Sequence, residues 1–221
     1  MAKQLFIGFV TEGTSDISFL ESIVQRTFED IAFECNTDLD ISMCPLKVDK
    51  TGLKFIELIE SSISMGGEQY GITTLCVHTD ADSDTSDDVY RNKIEPARLR
   101  ISNSNNDCTL ITPVVPVRMM EAWMLADKEL LKREIGTSKT DVELGIHKNP
   151  EKYADPKDVI SDAIRKARTE LTQRRRKDLT INDLYQSIGQ KIDLSKLELL
   201  SSFQHFKDEV RATYRALHYL H

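Results

Sequence analysis

Apolar positions follow two alternating rhythms along the first 130 residues. Residues 4–10 form a short apolar run of high β-propensity that stops at Thr11-Glu12-Gly13-Thr14-Ser15-Asp16, which predicts a buried strand entering a tight turn. Ile17, Leu20, Ile23, Val24 and Phe28 then recur at helical spacing, with Thr14 or Ser15 placed to cap the helix. Residues 41–48 predict a second strand. Residues 52–64 predict a second amphipathic helix built on Phe55, Ile56, Leu58, Ile59 and Ile63 and stopped by Gly66-Gly67. Residues 72–79 are a third strand that runs straight into Asp80-Ala81-Asp82-Ser83-Asp84. A polar helix over 86–101 follows, then a strand over 108–117 whose Pro113 and Pro116 mark it as irregular or as a sheet edge, then a helix over 119–133. Strand and helix alternate throughout, which predicts an α/β fold with a mostly parallel sheet flanked by helices.

Beyond that point the strand signal ceases. Residues 136–155 are polar and loop-like, and 156–171, 181–189 and 195–220 have helical periodicity. The cationic run Arg174, Arg175, Arg176 and Lys177 lies between the first two of these helices. The expected organisation is an α/β domain over 1–130 and a helical C-terminal extension over 131–221.

Composition narrows the class. A hydrophobic fraction of 40% supports a packed core. No apolar stretch approaches the ~20 residues that span a bilayer, and the N-terminal run is too short for a secretion signal, so a cytoplasmic protein without membrane contact is expected. Cys35, Cys44, Cys76 and Cys108 show no C-x-x-C spacing, which argues for reduced core thiols and against a zinc site. Charge is unevenly placed. Residues 1–155 carry 16 Lys and Arg against 27 Asp and Glu, a net of −11, whereas residues 156–221 carry 13 against 9, a net of +4. That division suits a metal site beside a polyanion-binding surface, and equally two ordinarily solvated faces.

Three acidic groups follow separate predicted strands: Glu12 with Asp16, then Asp80, Asp82 and Asp84, then Glu121. In an open parallel sheet the strand ends converge on one crevice. Carboxylates crowded there repel one another and should have raised pKa values, a cost that a divalent cation removes. Oxygen donors without His or Cys favour Mg²⁺ or Mn²⁺. Each group also has an ordinary structural reading: turn chemistry for Glu12-Gly13, a solvated loop for the aspartates, and a salt bridge to Arg118 for Glu121. A calcium loop fails because its sixth position is Thr85 and its twelfth Arg91. An aspartyl-nucleophile phosphatase motif fails because its fifth position is Asp84. His78 and Trp123 read as packing residues, and the run 174–177 as a phosphate contact or a solvated face.

A strand followed by Glu12-Gly13 and Asp16 with Phe19-Leu20 behind, and a later strand into Asp80-x-Asp82, resembles the Toprim domains of topoisomerases, primases and overcoming-lysogenization-defect nucleases. Glu121-Ala122-Trp123 with Ala126-Asp127, Asp155-Pro156-Lys157, and Ser202-Phe203 with Phe206 make the chain look closer still to a bacterial group of Toprim-related domains of unknown function. The resemblance implies a Mg²⁺- or Mn²⁺-dependent nuclease acting on DNA or RNA, in which Glu12 is acid/base or ligand. Asp80 and Asp82 would be the principal ligands, completed by Glu121 and by Asp16, which stands where the nuclease branch often has Glu. Lys157, Arg174, Arg175, Arg176 and Lys177 would contact phosphates. It further implies an ABC-type ATPase partner in an anti-phage system, with the state of association, monomer or homo-oligomer, left open. The alternatives are a non-catalytic adaptor of such an ATPase and a receiver-like phosphotransfer domain with Asp80 as acceptor. The latter lacks its usual lysine, since residues 108–117 contain none.

Overall fold

The structure, a computed structural model, describes residues 2–104, 108–169 and 179–221. Four parallel strands, β1 (Lys3–Thr11), β2 (Leu39–Pro45), β3 (Thr74–His78) and β4 (Ile111–Val114), form one sheet in the order β2-β1-β3-β4. The expected α/β fold with a parallel sheet and a helical C-terminal segment is thus observed. β4 lies at the sheet edge, where Pro113 needs no ladder partner on its outer side. The order reverses between β1 and β3, and the crevice of such a sheet opens at the carboxyl ends of those two strands.

Alternation along the strands divides the core in two. Leu5, Ile7, Phe9, Cys76 and Val114 pack on one face against α1 (Thr14–Ala32) and the C-terminal helices. Val10, Leu75, Val77 and Ile111 pack on the other against α2 (Phe55–Tyr70) and the rod α3. That rod joins Asp87–Val89, a π-helical turn at Tyr90–Ile94, and Glu95–Ser102. All four cysteines are free, and three of them are buried.

Several boundaries differ from the sequence expectation for identifiable reasons. α2 passes through Gly66-Gly67 and ends at Gly71, which holds the left-handed conformation (φ 63°, ψ 45°) that terminates helices. Gly66 serves packing instead, because a Cβ there would lie 2.5 Å from Ile72 Cδ1. The N-cap position of α1 is Gly13, ahead of the expected Thr14 or Ser15, and the Asp16 carboxylate accepts the Gly13 N–H at 2.8 Å. The helix expected over 119–133 is two, α4 (Glu121–Met124) and α5 (Lys128–Ile135), because Asp127 caps a new start at Leu130 N, 3.0 Å away.

Downstream lie α6 (Asp141–Leu144), α7 (Pro156–Ala167), α8 (Tyr185–Lys191), α9 (Leu194–Leu197) and α10 (Ser201–Ala216). Their apolar faces share the α1 core rather than forming a separate one. Arg26 of α1 donates to the carbonyls of Gly189 and Ile192, at 2.8 Å each, and so caps the end of α8. A Cβ at Gly189 would meet the Phe19 carbonyl oxygen at 2.2 Å, with backbone on both sides. Helix propensity alone makes Gly189→Ala stabilising by up to about 1 kcal/mol. Overpacking dominates here, and a loss of about 3 kcal/mol is expected in urea unfolding at unchanged m-value.

Candidate active site

The end of β1 supplies Glu12 and, one helical turn into α1, Asp16. Asp16 approaches the turn closely: a Cβ at Gly13 would lie 2.6 Å from its carboxylate, so a side chain there would displace that carboxylate from its place. The end of β3 supplies His78 and, two residues on, Asp80. Beyond the strands the loops after β3 and β4 stay joined, with Ala81 N–H on Pro116 O (3.0 Å), Asp82 N–H on Arg118 O (2.9 Å) and Arg118 N–H on Ser83 O (3.0 Å). Asp82 and Arg118 both hold positive φ, 53° and 63°, at this crossing. Such strain in non-glycine residues collects at functional sites.

His78 is the centre of the arrangement and is only 1% exposed. Its Nε2 lies 3.2 Å from Asp80 Oδ1, and its Nδ1 lies 3.3 Å from Asp16 Oδ2, an ion-pair contact out of line for a full hydrogen bond. Carboxylate oxygens facing both ring nitrogens favour a proton on each, which is the imidazolium form. Burial opposes that charge, but the contacts with Asp16 and Asp80 outweigh it and raise the His78 pKa to about 9. For Asp16, burial pushes upward and is outweighed by the His78 contact and the Gly13 N–H, leaving its pKa at about 2. The expectation that crowding would raise the carboxylates' pKa therefore fails at Asp16. The charge that His78 gains at its raised pKa offsets part of the repulsion between Asp16 and Asp80.

Glu121 is 4% exposed, and its pKa is raised, first by burial and further by the charge of Asp80. Its partner is not Arg118, which pairs with the exposed Asp84, but Tyr185, whose Oη donates to Oε1 at 2.6 Å. Met120 N–H, next to Glu121, donates to Asp80 Oδ1 at 2.9 Å, which places Glu121 on the same side of the sheet as Asp80. Lys157, exposed at the start of α7, exerts a pKa-lowering charge on Glu121. Glu12 is exposed and turned to Lys93, whose Nζ reaches Oε1 at 2.8 Å. Asp82 is exposed. Arg174, Arg175, Arg176 and Lys177 lie outside the described residues.

Asp16 and Asp80 are thus brought together on His78, with Glu121 on the Asp80 side, while Glu12 turns to Lys93 and Asp82 is exposed. Among the described residues no ready-made cluster of three His, Cys, Asp or Glu ligands is present, because each carboxylate faces a protein partner. The donor set nonetheless suits a hard cation. It is made of carboxylate oxygens, but the buried charge of His78 beside Asp16 and Asp80 opposes a second cation there.

No protein-family model, curated protein or solved structure matches this chain. The resemblance to Toprim rests on short motifs, and each has a local physical role in this fold. Asp127 and Asp155 cap α5 and α7. Trp123 packs edge-on to Phe203 at 5.2 Å and donates its indole N–H to Ser202 Oγ at 2.8 Å. These contacts fasten α10 to α4. Among the described residues no helix is long and apolar enough to cross a membrane.

Sequence reading missed His78, Tyr185, Lys50 and Lys93. A signal existed for the first: a histidine closing a strand two residues before an aspartate, at the carboxyl end of a parallel sheet.

Proposed function

We propose that this crevice is the active site of a divalent-metal-dependent phosphodiesterase acting on nucleic acid. The observation that carries the reading is the meeting of Asp16 and Asp80, from beyond the ends of β1 and β3, on the buried His78 at the switch point of the sheet, with Glu121 near enough to feel the Asp80 charge. Asp80 and Asp16 would hold Mg²⁺ or Mn²⁺ with Glu121 and Asp82 at the margin. When bound, such an ion supplies Lewis-acid stabilisation of the phosphoryl charge and a water of lowered pKa. Glu12, exposed at the turn after β1, takes the acid–base role. Tyr185 orients Glu121, and Lys157 binds the phosphate backbone. Partnership with an ABC-type ATPase and a place in phage defence belong to the same proposal and rest on the resemblance alone.

The test is cleavage of plasmid and single-stranded substrates by purified protein, alone and with its ATPase partner. Cutting with Mn²⁺ or Mg²⁺ that stops on chelation is expected, together with a melting temperature raised by either ion. Absence of both effects would overturn the metal reading.

One observation favours a second reading. The order β2-β1-β3-β4 matches the first four strands of the 2-1-3-4-5 order of receiver-type phosphotransfer domains. That reading expects a phosphoaspartate at Asp80 after incubation with a small phosphodonor, and no cutting.

A further inference from the structure

The rod α3 abandons α-helical spacing over Tyr90–Ile94, and single π turns of this kind occur disproportionately at functional sites. Here the turn allows three demands to be met at once. Tyr90 stacks on His205 at 4.4 Å with the rings 14° apart, Ile94 is fully buried, and Lys93 is directed to the mouth of the crevice. Lys93 Nζ donates to Glu12 Oε1 at 2.8 Å and to Thr79 Oγ1 at 2.9 Å. Lys50, in the connection between β2 and α2, donates to the Glu12 backbone carbonyl at 3.2 Å. Two ammonium groups from different connections therefore meet on one residue. Both stand on the α2–α3 side of the sheet, whereas Asp16, Glu121 and Lys157 come from α1, α4 and α7.

We propose that Lys50 and Lys93 form a binding site for a phosphate group of the substrate, and that in the resting protein the Glu12 carboxylate stands in for that phosphate. The Lys93–Glu12 pair is half-exposed on both sides, 34% and 40%, so separating it costs little. A phosphate offers more charge and more acceptor oxygens than the carboxylate it displaces. Thr79 keeps Lys93 in place during the exchange through the second hydrogen bond. The exchange also releases Glu12 for acid–base work at the moment substrate arrives. The inference takes its substrate from the phosphodiester reading, but the site itself can be examined without metal.

The experiment is calorimetric titration of chelator-treated protein with inorganic phosphate, at low salt. Glu12→Gln should tighten binding about fivefold, the equivalent of one exposed ion pair removed from competition. Lys93→Gln should weaken it about tenfold and Lys50→Gln somewhat less, while Lys196→Gln, on the exposed surface of α9, changes nothing. Melting temperatures without phosphate identify any variant that is simply misfolded. Phosphate binding that ignores Glu12→Gln, that falls equally with Lys93→Gln and Lys196→Gln, or that is undetectable in both wild type and Glu12→Gln would overturn the proposal. Because no metal is present, these outcomes are separable from the active-site reading. Loss of the lysine site leaves metal-dependent cutting standing, and failure of cutting leaves the phosphate site standing.

Discussion

Replacing His78 with alanine is expected to destabilise the protein by about 3 kcal/mol in chelator-containing buffer, the lower end of the range for removing one partner of a buried ion pair. The lower end applies because Asp80 and Asp16 keep side-chain exposures of 28% and 13% and so retain some water. Two contributions add: the carboxylates lose their counter-charge, and a buried ring leaves a cavity. Asp16→Asn in the His78→Ala background should recover part of the loss, since it removes a charge left without a partner and keeps an acceptor for Gly13 N–H. Simple additivity of the two substitutions would show that the pair is not coupled. The pH dependence has a definite sign. The groups facing the ring are Asp16 on α1 and Asp80 after β3, with Glu121 and Tyr185 close enough to feel the Asp80 charge. The folded pKa of His78, about 9, exceeds its ordinary 6.5, so its stabilisation is complete below 6.5 and is lost as pH rises through 9. Asp16, at about 2 instead of 3.8, stabilises above 3.8 and stops doing so as pH falls through 2. Between pH 6.5 and 9 the wild type should therefore lose up to about 1.4 kcal/mol per pH unit from this group, a slope that His78→Ala removes. An unchanged slope in the variant would place the titration elsewhere.

The fold was legible because its signals are local. Apolar runs separated by helical periodicity define four parallel strands whatever their order, and the acidic turns after β1 and β3 are visible as text. The order in which β1 and β3 become neighbours is not local. Without it, nothing joins Asp16 to His78, and a histidine closing an apolar run reads as packing. Glu121 illustrates the division well. Its apolar neighbours Met120, Ala122 and Trp123 show that the carboxylate needs a partner, yet the partner, Tyr185, lies 64 residues away and arrives only because Arg26 and Gly189 dock α8 on α1. The nearby Arg118 has left-handed backbone and turns to Asp84. Lys93 was hidden for a further reason: a π turn shifts the helical phase, so a wheel drawn through 86–101 directs that side chain wrongly.

Asp80→Asn is expected to reduce metal-dependent cutting by at least about 100-fold while leaving the fold intact, the scale of loss when one group that stabilises transition-state charge is removed. The substitution keeps the shape of the side chain and an oxygen to accept from Met120 N–H, now 2.9 Å from Oδ1, so the junction between the β3 and β4 loops should survive. What disappears is one negative charge at the centre of the crevice. His78 then retains Asp16 alone, and its pKa should fall, because one of the two carboxylates that raise it is gone. A contaminating nuclease would cut equally in wild-type and variant preparations. The decisive comparison is therefore between parallel preparations at matched concentration, with the melting temperature of each recorded with and without Mn²⁺. Loss of cutting together with loss of the Mn²⁺-induced rise in melting temperature identifies Asp80 as a group that serves the ion. Equal cutting by both proteins would remove the crevice from the reaction. Loss of cutting with the metal effect on melting intact would move the ion elsewhere in the crevice, and leave Asp80 to hold His78 and Met120 in position.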